Sequence, residues 1–388
     1  MAFVTTCLVF GFLLLGLLGG ETMASSNCNF PAIYNFGDSN SDTGGRSASF
    51  DALPLPFGET FFGKPSGRFC DGRLVIDFIA EQLGLPYLSA YLDSIGTSFR
   101  HGANFAFGGS SIRVGGYSPF HLSIQISQFR QLKARTTDLY GQRQGKARTP
   151  SSKWNLPKPE DFSKALYTFD IGQNDLAYGF QHTTEDQVRE SIPDMLDQLS
   201  DAIQQFCDCC CVVDGGGQTL YEEGARVFWI HNTGPLGCLP YSFIYDQSKP
   251  GNLDEGGCVK PENDVAQEFN RQLKDRVTQF RLRLPHAAFT YVDVYSVKYE
   301  LVSNATKQGF DDPMKFCCGS YYGYHVDCGK TAVVNGTTYG KACSNPRAQV
   351  SWDGIHYSEE ANRRIADRLL GGQMSDPPVP ITQACRKS

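Results

Sequence analysis

The side chains that could act together as nucleophile and base lie in two short segments at opposite ends of a 388-residue chain. Gly37-Asp38-Ser39-Asn40 sets a serine among small and polar neighbours, directly after the apolar run 32–36. Asp353-Gly354-Ile355-His356 sets a carboxylate three residues before a histidine. A serine hydroxyl attacks poorly at neutral pH unless a base lies within hydrogen-bond reach and a third group orients that base. One turn suffices to bring Asp353 beside the His356 imidazole, so Ser39, His356 and Asp353 are the candidates for attack on a carbonyl. Turn formation is the competing explanation, because Asp, Ser, Asn and Gly favour turns whatever the chemistry. No G-x-S-x-G nucleophile elbow occurs anywhere in the chain, so a serine hydrolase here needs another arrangement.

These residues need a frame to hold them. Short apolar runs at 32–36, 103–107, 166–171, 227–230 and 288–294 read as strands. Between them, stretches such as 74–83 and 265–280 carry apolar residues at helical spacing, and Ser358 is a fitting N-cap for a closing helix to Leu370. Strands alternating with helices imply a parallel sheet covered on both faces, with ligands bound at the carboxyl ends of its strands. Gly37-Asp38-Ser39-Asn40 follows the first strand, and Gly172-Gln173-Asn174-Asp175 follows the third.

Four segments in order carry a resemblance. Phe36-Gly37-Asp38-Ser39-Asn40-Ser41-Asp42-Thr43-Gly44, Gly102-Ala103-Asn104-Phe105-Ala106-Phe107-Gly108-Gly109, Gly172-Gln173-Asn174-Asp175 and Asp353-Gly354-Ile355-His356 resemble blocks I, II, III and V of the GDSL esterase/lipases, the SGNH hydrolase superfamily. The similarity is greatest to the plant branch, which includes nodulin-like and fucosidase-named members. Asn40 stands where the family name has leucine. The resemblance implies a three-layer α/β/α sandwich with a flavodoxin-like, five-stranded parallel sheet. It implies ester hydrolysis through an acyl-enzyme, with no metal and no other cofactor. Ser39 is then the nucleophile, His356 base and later acid, and Asp353 its orienting group. The backbone N–H groups of Ser39 and Gly109 and the side-chain amide of Asn174 hold the oxyanion, with Gly108 the alternative should the alignment slip by one. A fucosidase-like glycosidase, with Asp38 and Asp42 as a carboxylate pair, and a secreted carbohydrate-binding protein without catalysis are the rival readings. Neither triad nor oxyanion hole is broken, as the second rival would need.

The rest of the chain bounds where such an enzyme works. Apolar residues make up 41% of it, and 35 basic against 41 acidic residues give a net charge of −6 with no basic stripe for nucleic acid. The run 8–18 is apolar but short for a membrane span, and Thr22-Met23-Ala24 offers small residues for cleavage, so 1–24 reads as a signal peptide and 25–388 as one domain with no membrane span. Fourteen cysteines suit secretion to the cell wall or apoplast. Cys238 and Cys258, and Cys317, Cys318, Cys328 and Cys343, read as disulfide staples of undetermined pairing. Asn304 and Asn335 are glycosylation acceptors. The substrate is an acyl lipid, a small acyl ester or an acetylated polysaccharide. Phe61, Phe62 and Phe69 are candidates to line its groove, and the histidines other than His356 read as surface or packing residues. Residues 206–219, with Cys207, Cys209, Cys210 and Cys211, interrupt a helical apolar stripe and read as an insertion: without them Leu220 takes the place of Phe206, and Gly224 falls at a helix C-cap.

Overall fold

The structure, a computed structural model, describes residues 27–144, 155–204, 219–246, 251–321 and 324–385. The expected signal peptide and residues 206–218 of the expected insertion lie outside the described residues. The strands are β1 (Ile33–Gly37), β2 (Gly102–Asn104), β3 (Leu166–Asp170), β4 (Val227–His231), β5 (Ala288–Val292), β6 (Ala332–Val334), β7 (Thr337–Tyr339) and β8 (Ser375–Asp376). The helices are α1 (Gly45–Ser49), α2 (Glu59–Phe62), α3 (Val75–Gln82), α4 (Leu122–Gln144), α5 (Gln173–His182), α6 (Glu185–Ile203), α7 (Pro240–Asp246), α8 (Lys260–Arg283), α9 (Val294–Ser303) and α10 (Glu359–Leu370).

The main sheet runs β2-β1-β3-β4-β5-β8. Its first five strands are parallel, as expected; β8 adds a two-residue antiparallel edge that the sequence did not signal. The second strand is also shorter than its apolar run, because the chain leaves the ladder after Asn104. Alternation along the strands fills two cores. Tyr34, Phe36, Tyr167, Phe169, Phe228 and Phe289 face α4, α6 and α8. Ile33, Leu166, Val227, Trp229 and Val292 face α3, α9 and α10. Both faces of a parallel sheet are thus buried, giving three layers. From β1 the chain goes to one neighbour, β2, and then returns to the other, β3, so the crevice beyond the carboxyl ends of β1 and β3 is the topological switch point. Ser39 and Asn174 follow those two strands.

Among the described residues four disulfides knit loops or termini that the sheet does not hold. Cys28–Cys385 joins the two ends, while Cys317–Cys343 and Cys318–Cys328 lie side by side before the closing helix. The fourth, Cys238–Cys258, closes a loop between β4 and α8. Around the expected insertion, the Leu220 and Tyr221 N–H groups bond the Ala202 and Ile203 carbonyls at 3.2 and 3.1 Å, and Leu220 is fully buried. Gly224 adopts φ of 97°, as a capping glycine does.

Candidate active site

The turn after β1 is fixed from beneath. Asp42, fully buried, accepts the Gly44 and Gly45 N–H groups on Oδ1 (2.8 and 2.5 Å) and those of Arg46 and Gly108 on Oδ2 (3.1 and 2.8 Å). It therefore ties the first family-like block to the second. Asn35 Nδ2 donates to Ser41 Oγ at 3.0 Å and to Asn104 Oδ1 at 2.7 Å, continuing the tie below the turn. The Gln125 amide grips Gly37, receiving its N–H at 3.0 Å and donating to its carbonyl at 2.8 Å. A side chain at Gly37 would have its Cβ 2.4 Å from Ser41 Oγ and 2.6 Å from the Asp170 carbonyl, so only glycine fits. Helix α1 begins six residues after Ser39, so the serine sits in a turn rather than on a helix terminus.

The histidine loop is built with the same economy. Asp353 Oδ1 accepts the Ile355 and His356 N–H groups at 3.0 and 2.8 Å, and its Oδ2 lies 2.7 Å from His356 Nδ1. That carboxylate fixes the tautomer: Nδ1 carries the proton, and Nε2 faces Ser39 Oγ at 2.8 Å with a free lone pair. The Trp352 N–H bonds the His356 carbonyl at 2.8 Å, and the adjacent Cys317 and Cys318 N–H groups bond the Trp352 carbonyl at 2.9 and 2.7 Å. Gly354, at φ of 93°, packs so closely on Tyr321 that a Cβ would lie 2.5 Å from its ring. The paired disulfides thus buttress the loop that carries His356.

The three expected oxyanion donors converge on one cleft of about 640 Å³ lined by Ser39, Gly109, Asn174 and His356. Gly108 and Gly109 can be told apart by their bonds. The Gly108 N–H is spent on Asp42, whereas those of Gly109 and Ser39 bond no described residue. Asn174 Nδ2 gives one hydrogen to the Ser110 carbonyl at 2.9 Å, which leaves its second for the cleft. Next to it, Asp175 accepts the Ile112 and Arg113 N–H groups at 2.7 and 3.1 Å, clasping the loop beyond Gly109; burial pushes its carboxyl up to about 6 against those donors.

Phe69 lines the cleft and leans on the His356 ring at 5.1 Å between centroids. Phe61 and Phe62 do not line it; they pack on each other and on Tyr87. Tyr117, Phe180, Tyr241 and Tyr245 supply an aromatic wall that the sequence reading did not name. Asp38 and Asp42 are buried and line no part of the cleft, so they offer no carboxylate pair to a glycoside. Among the described residues no group of three or more metal-ligating side chains occurs.

A charged layer lies under this site. Asp38, Asp170, His231 and Lys298 come from the ends of β1, β3 and β4 and from α9. Burial and Asp170 push Asp38 up to about 7, against the donors of Asn40. Against its own burial, Asp170 is held below the ordinary carboxylate range by His231 and Lys298. Trp229 Nε1 donates to His231 Nε2 at 3.1 Å, so that imidazole carries its proton on Nδ1, 3.5 Å from Asp170 Oδ2. His231 is therefore part of a polar network and not a plain packing residue. Nothing in the sequence marked Lys298, which stands in an otherwise amphipathic helix.

Sheet, switch-point crevice and the Ser39–His356–Asp353 chain have the form of a serine hydrolase of the three-layer α/β class. The family model described as "GDSL-like Lipase/Acylhydrolase" matches residues 33–369. A GDSL esterase/lipase of Arabidopsis thaliana is 53% identical, over 97% of this chain and 95% of its own. An esterase of Hevea brasiliensis is 46% identical over 94% and 91%, and a protein of Arabidopsis thaliana named Alpha-L-fucosidase 3 is 45% identical over 98% of each. The chain belongs to the GDSL-like lipase/acylhydrolase family and is a carboxylic ester hydrolase.

Proposed function

We propose that the chain is a secreted serine esterase that works through an acyl-enzyme on Ser39. The observation that carries this reading is the unbroken hydrogen-bond chain from Ser39 Oγ through His356 to Asp353, at 2.8 and 2.7 Å. His356 Nε2 takes the Ser39 proton as Oγ attacks the ester carbonyl. Negative charge gathers on the carbonyl oxygen, where the Ser39 and Gly109 N–H groups and Asn174 Nδ2 stabilise it more than they stabilise the ground state. The imidazolium, steadied by Asp353, gives its proton to the departing alkoxide, and the alcohol leaves an acyl group on Ser39. Water, deprotonated by His356, repeats the sequence and releases the acid. His356 must therefore present a free Nε2 lone pair to Ser39 for the cycle to start.

The cleft is open and mixed in character, with Phe69, Leu236 and Leu239 beside Gln173, Ser242 and Glu262. The sequence carries no long apolar lid segment, which favours small acyl groups, such as the acetyl esters of cell-wall polysaccharides, over long chains. Secretion rests on the apolar N-terminal run and on four disulfides among the described residues. The acceptors Asn304 and Asn335 stand at the surface, Asn335 at the tip of the β6–β7 hairpin. No described helix is long and apolar enough to cross a membrane.

The test is a fluorophosphonate probe with Ser39→Ala beside the native chain. The native chain is labelled on Ser39, and the variant keeps its circular dichroism, escapes labelling and loses about 10⁴–10⁶ in kcat on small acyl esters. A folded variant with near-native turnover refutes the nucleophile. A native chain that ignores the probe but hydrolyses fucosides favours the glycosidase.

A further inference from the structure

Lys298 is 3% exposed, on a helix that contributes nothing to the cleft lining. A buried ammonium is costly unless something compensates it. Burial pulls it below the ordinary lysine range against the attraction of Asp170 and Asp38. What surrounds it is specific. Asp38, whose charge it feels, precedes Ser39. Its Nζ lies 4.7 Å from the ring centre of Tyr357, the residue after His356. Its Nζ and Gln173 Oε1 border the same small space over Gly234, at 3.6 and 3.4 Å from where a Cβ would stand, and Gln173 precedes Asn174. The side chain thus lies beneath three separate segments, each one residue from a group that acts in the proposed reaction.

The charges explain why a cation belongs there. Asp38 in its ionised form receives the Asn40 N–H and Nδ2, both at 2.9 Å, and so shapes the turn that presents Ser39. Asp170, whose carbonyl accepts the Asp38 N–H at 3.2 Å, puts a second carboxylate beside it. His231, whose Nε2 accepts from Trp229 Nε1, turns Nδ1 toward Asp170 and does not reach Asp38. Once Asp38 is ionised, above about pH 7, two buried anions would repel across the base of the nucleophile turn without Lys298.

We propose that Lys298 is a positioning residue for the esterase: its buried ammonium balances the Asp38 and Asp170 carboxylates and holds the segments bearing Ser39, Asn174 and His356 in their mutual geometry. The inference rests on the roles given to those three residues above. Ser39→Ala tests those roles independently of any change at Lys298.

The experiment compares the native chain, Lys298→Met and the double variant Lys298→Met/Asp170→Asn, assayed on p-nitrophenyl acetate well below their melting temperatures. Methionine keeps the stem and removes the charge. Asparagine keeps an acceptor for His231 and returns the buried net charge to its native value. In Lys298→Met we expect kcat to fall roughly 10- to 100-fold, the effect of a small misplacement of reacting groups, with KM within about twofold. The double variant recovers most of the lost kcat. A lysine that only packs, or only stabilises, gives a folded single variant with native kcat, and that result overturns the proposal. So does a rise in KM alone, or a double variant no faster than the single one. Should Lys298→Met fail to fold, the double variant decides: folded and active supports charge balance, whereas inactive or unfolded refutes it.

Discussion

Opening the Cys318–Cys328 bridge separates the stability of this protein from its activity. The bridge closes a loop of 10 residues. Chain entropy of the unfolded state then gives about 9 cal/mol/K, or about 2.7 kcal/mol at 25 °C. Unfolding a chain of 388 residues carries an entropy of about 0.8 kcal/mol/K, so Cys318→Ser/Cys328→Ser should lower Tm by only about 3 °C. Its effect on rate should be larger than that small loss suggests. The Cys318 N–H holds the Trp352 carbonyl at 2.7 Å, and the Trp352 N–H holds the His356 carbonyl at 2.8 Å. Slack at Cys318 passes directly to His356, the proposed base, and kcat should fall about tenfold with KM unchanged. The control is Cys28→Ser/Cys385→Ser, which opens a span of 357 residues at the opposite pole of the sheet. Its entropic term is about 6 kcal/mol, roughly twice as large, yet nothing links it to the histidine loop. Thermal unfolding by circular dichroism and steady-state hydrolysis of p-nitrophenyl acetate, run on both pairs, read the two effects apart. The reasoning fails if the short bridge costs stability without slowing kcat, or if the long bridge slows kcat as much as the short one.

Three further outcomes follow from the same geometry. Asn174→Ala removes one oxyanion donor and should lower kcat by about 10²–10³ while KM stays near native; a change in KM alone makes Asn174 a binding or structural residue. In the fold Asp38 keeps its proton up to about 7, whereas unfolded it releases it near the ordinary carboxylate range. The unfolded chain thus binds fewer protons between about pH 4 and 7, and stability falls as pH rises through that window, by on the order of 2–4 kcal/mol. Asp170, held low, acts with the opposite sign and only below about pH 4. Urea midpoints at pH 5 and 8 should therefore differ less in Asp38→Asn than in the native chain, and an unchanged difference refutes the assignment. Finally, excising residues 206–219 should leave esterase activity intact and reduce disulfide-linked aggregation, since Leu220 and Tyr221 already close onto Ala202 and Ile203. Loss of soluble, active enzyme at matched expression would show that the segment belongs to the working fold.

What the sequence disclosed and what it hid divide along the range of the interactions. The five parallel strands were legible because each buries both faces and reads as an apolar run, and Asp353 with His356 because a single turn joins them. Ser39 and Asn174 were legible because polar residues at strand ends stand out against those runs. Distant partners left no such mark. Gly108 and Gly109 are indistinguishable in a glycine pair until the Gly108 N–H is seen on Asp42, 66 residues away. Gln125, 88 residues from Gly37, looks like any polar residue of an amphipathic helix. The β8 edge has two residues and no period to detect. The pairing of Cys317 with Cys343 and of Cys318 with Cys328 depends on how the loop folds over Trp352, which spacing alone cannot say. His231 and Lys298 are the clearest instance. A histidine ending an apolar strand and a lysine in a helix each have an ordinary explanation, and only the meeting of β1, β3, β4 and α9 gives them a joint one. A parallel sheet gathers its strand ends at a single edge, so it assembles there charges that have no relation in sequence. The same topology that exposes Ser39 at the switch point puts Asp38 and Asp170 side by side beneath it, and a buried cation is what lets the two carboxylates share that edge.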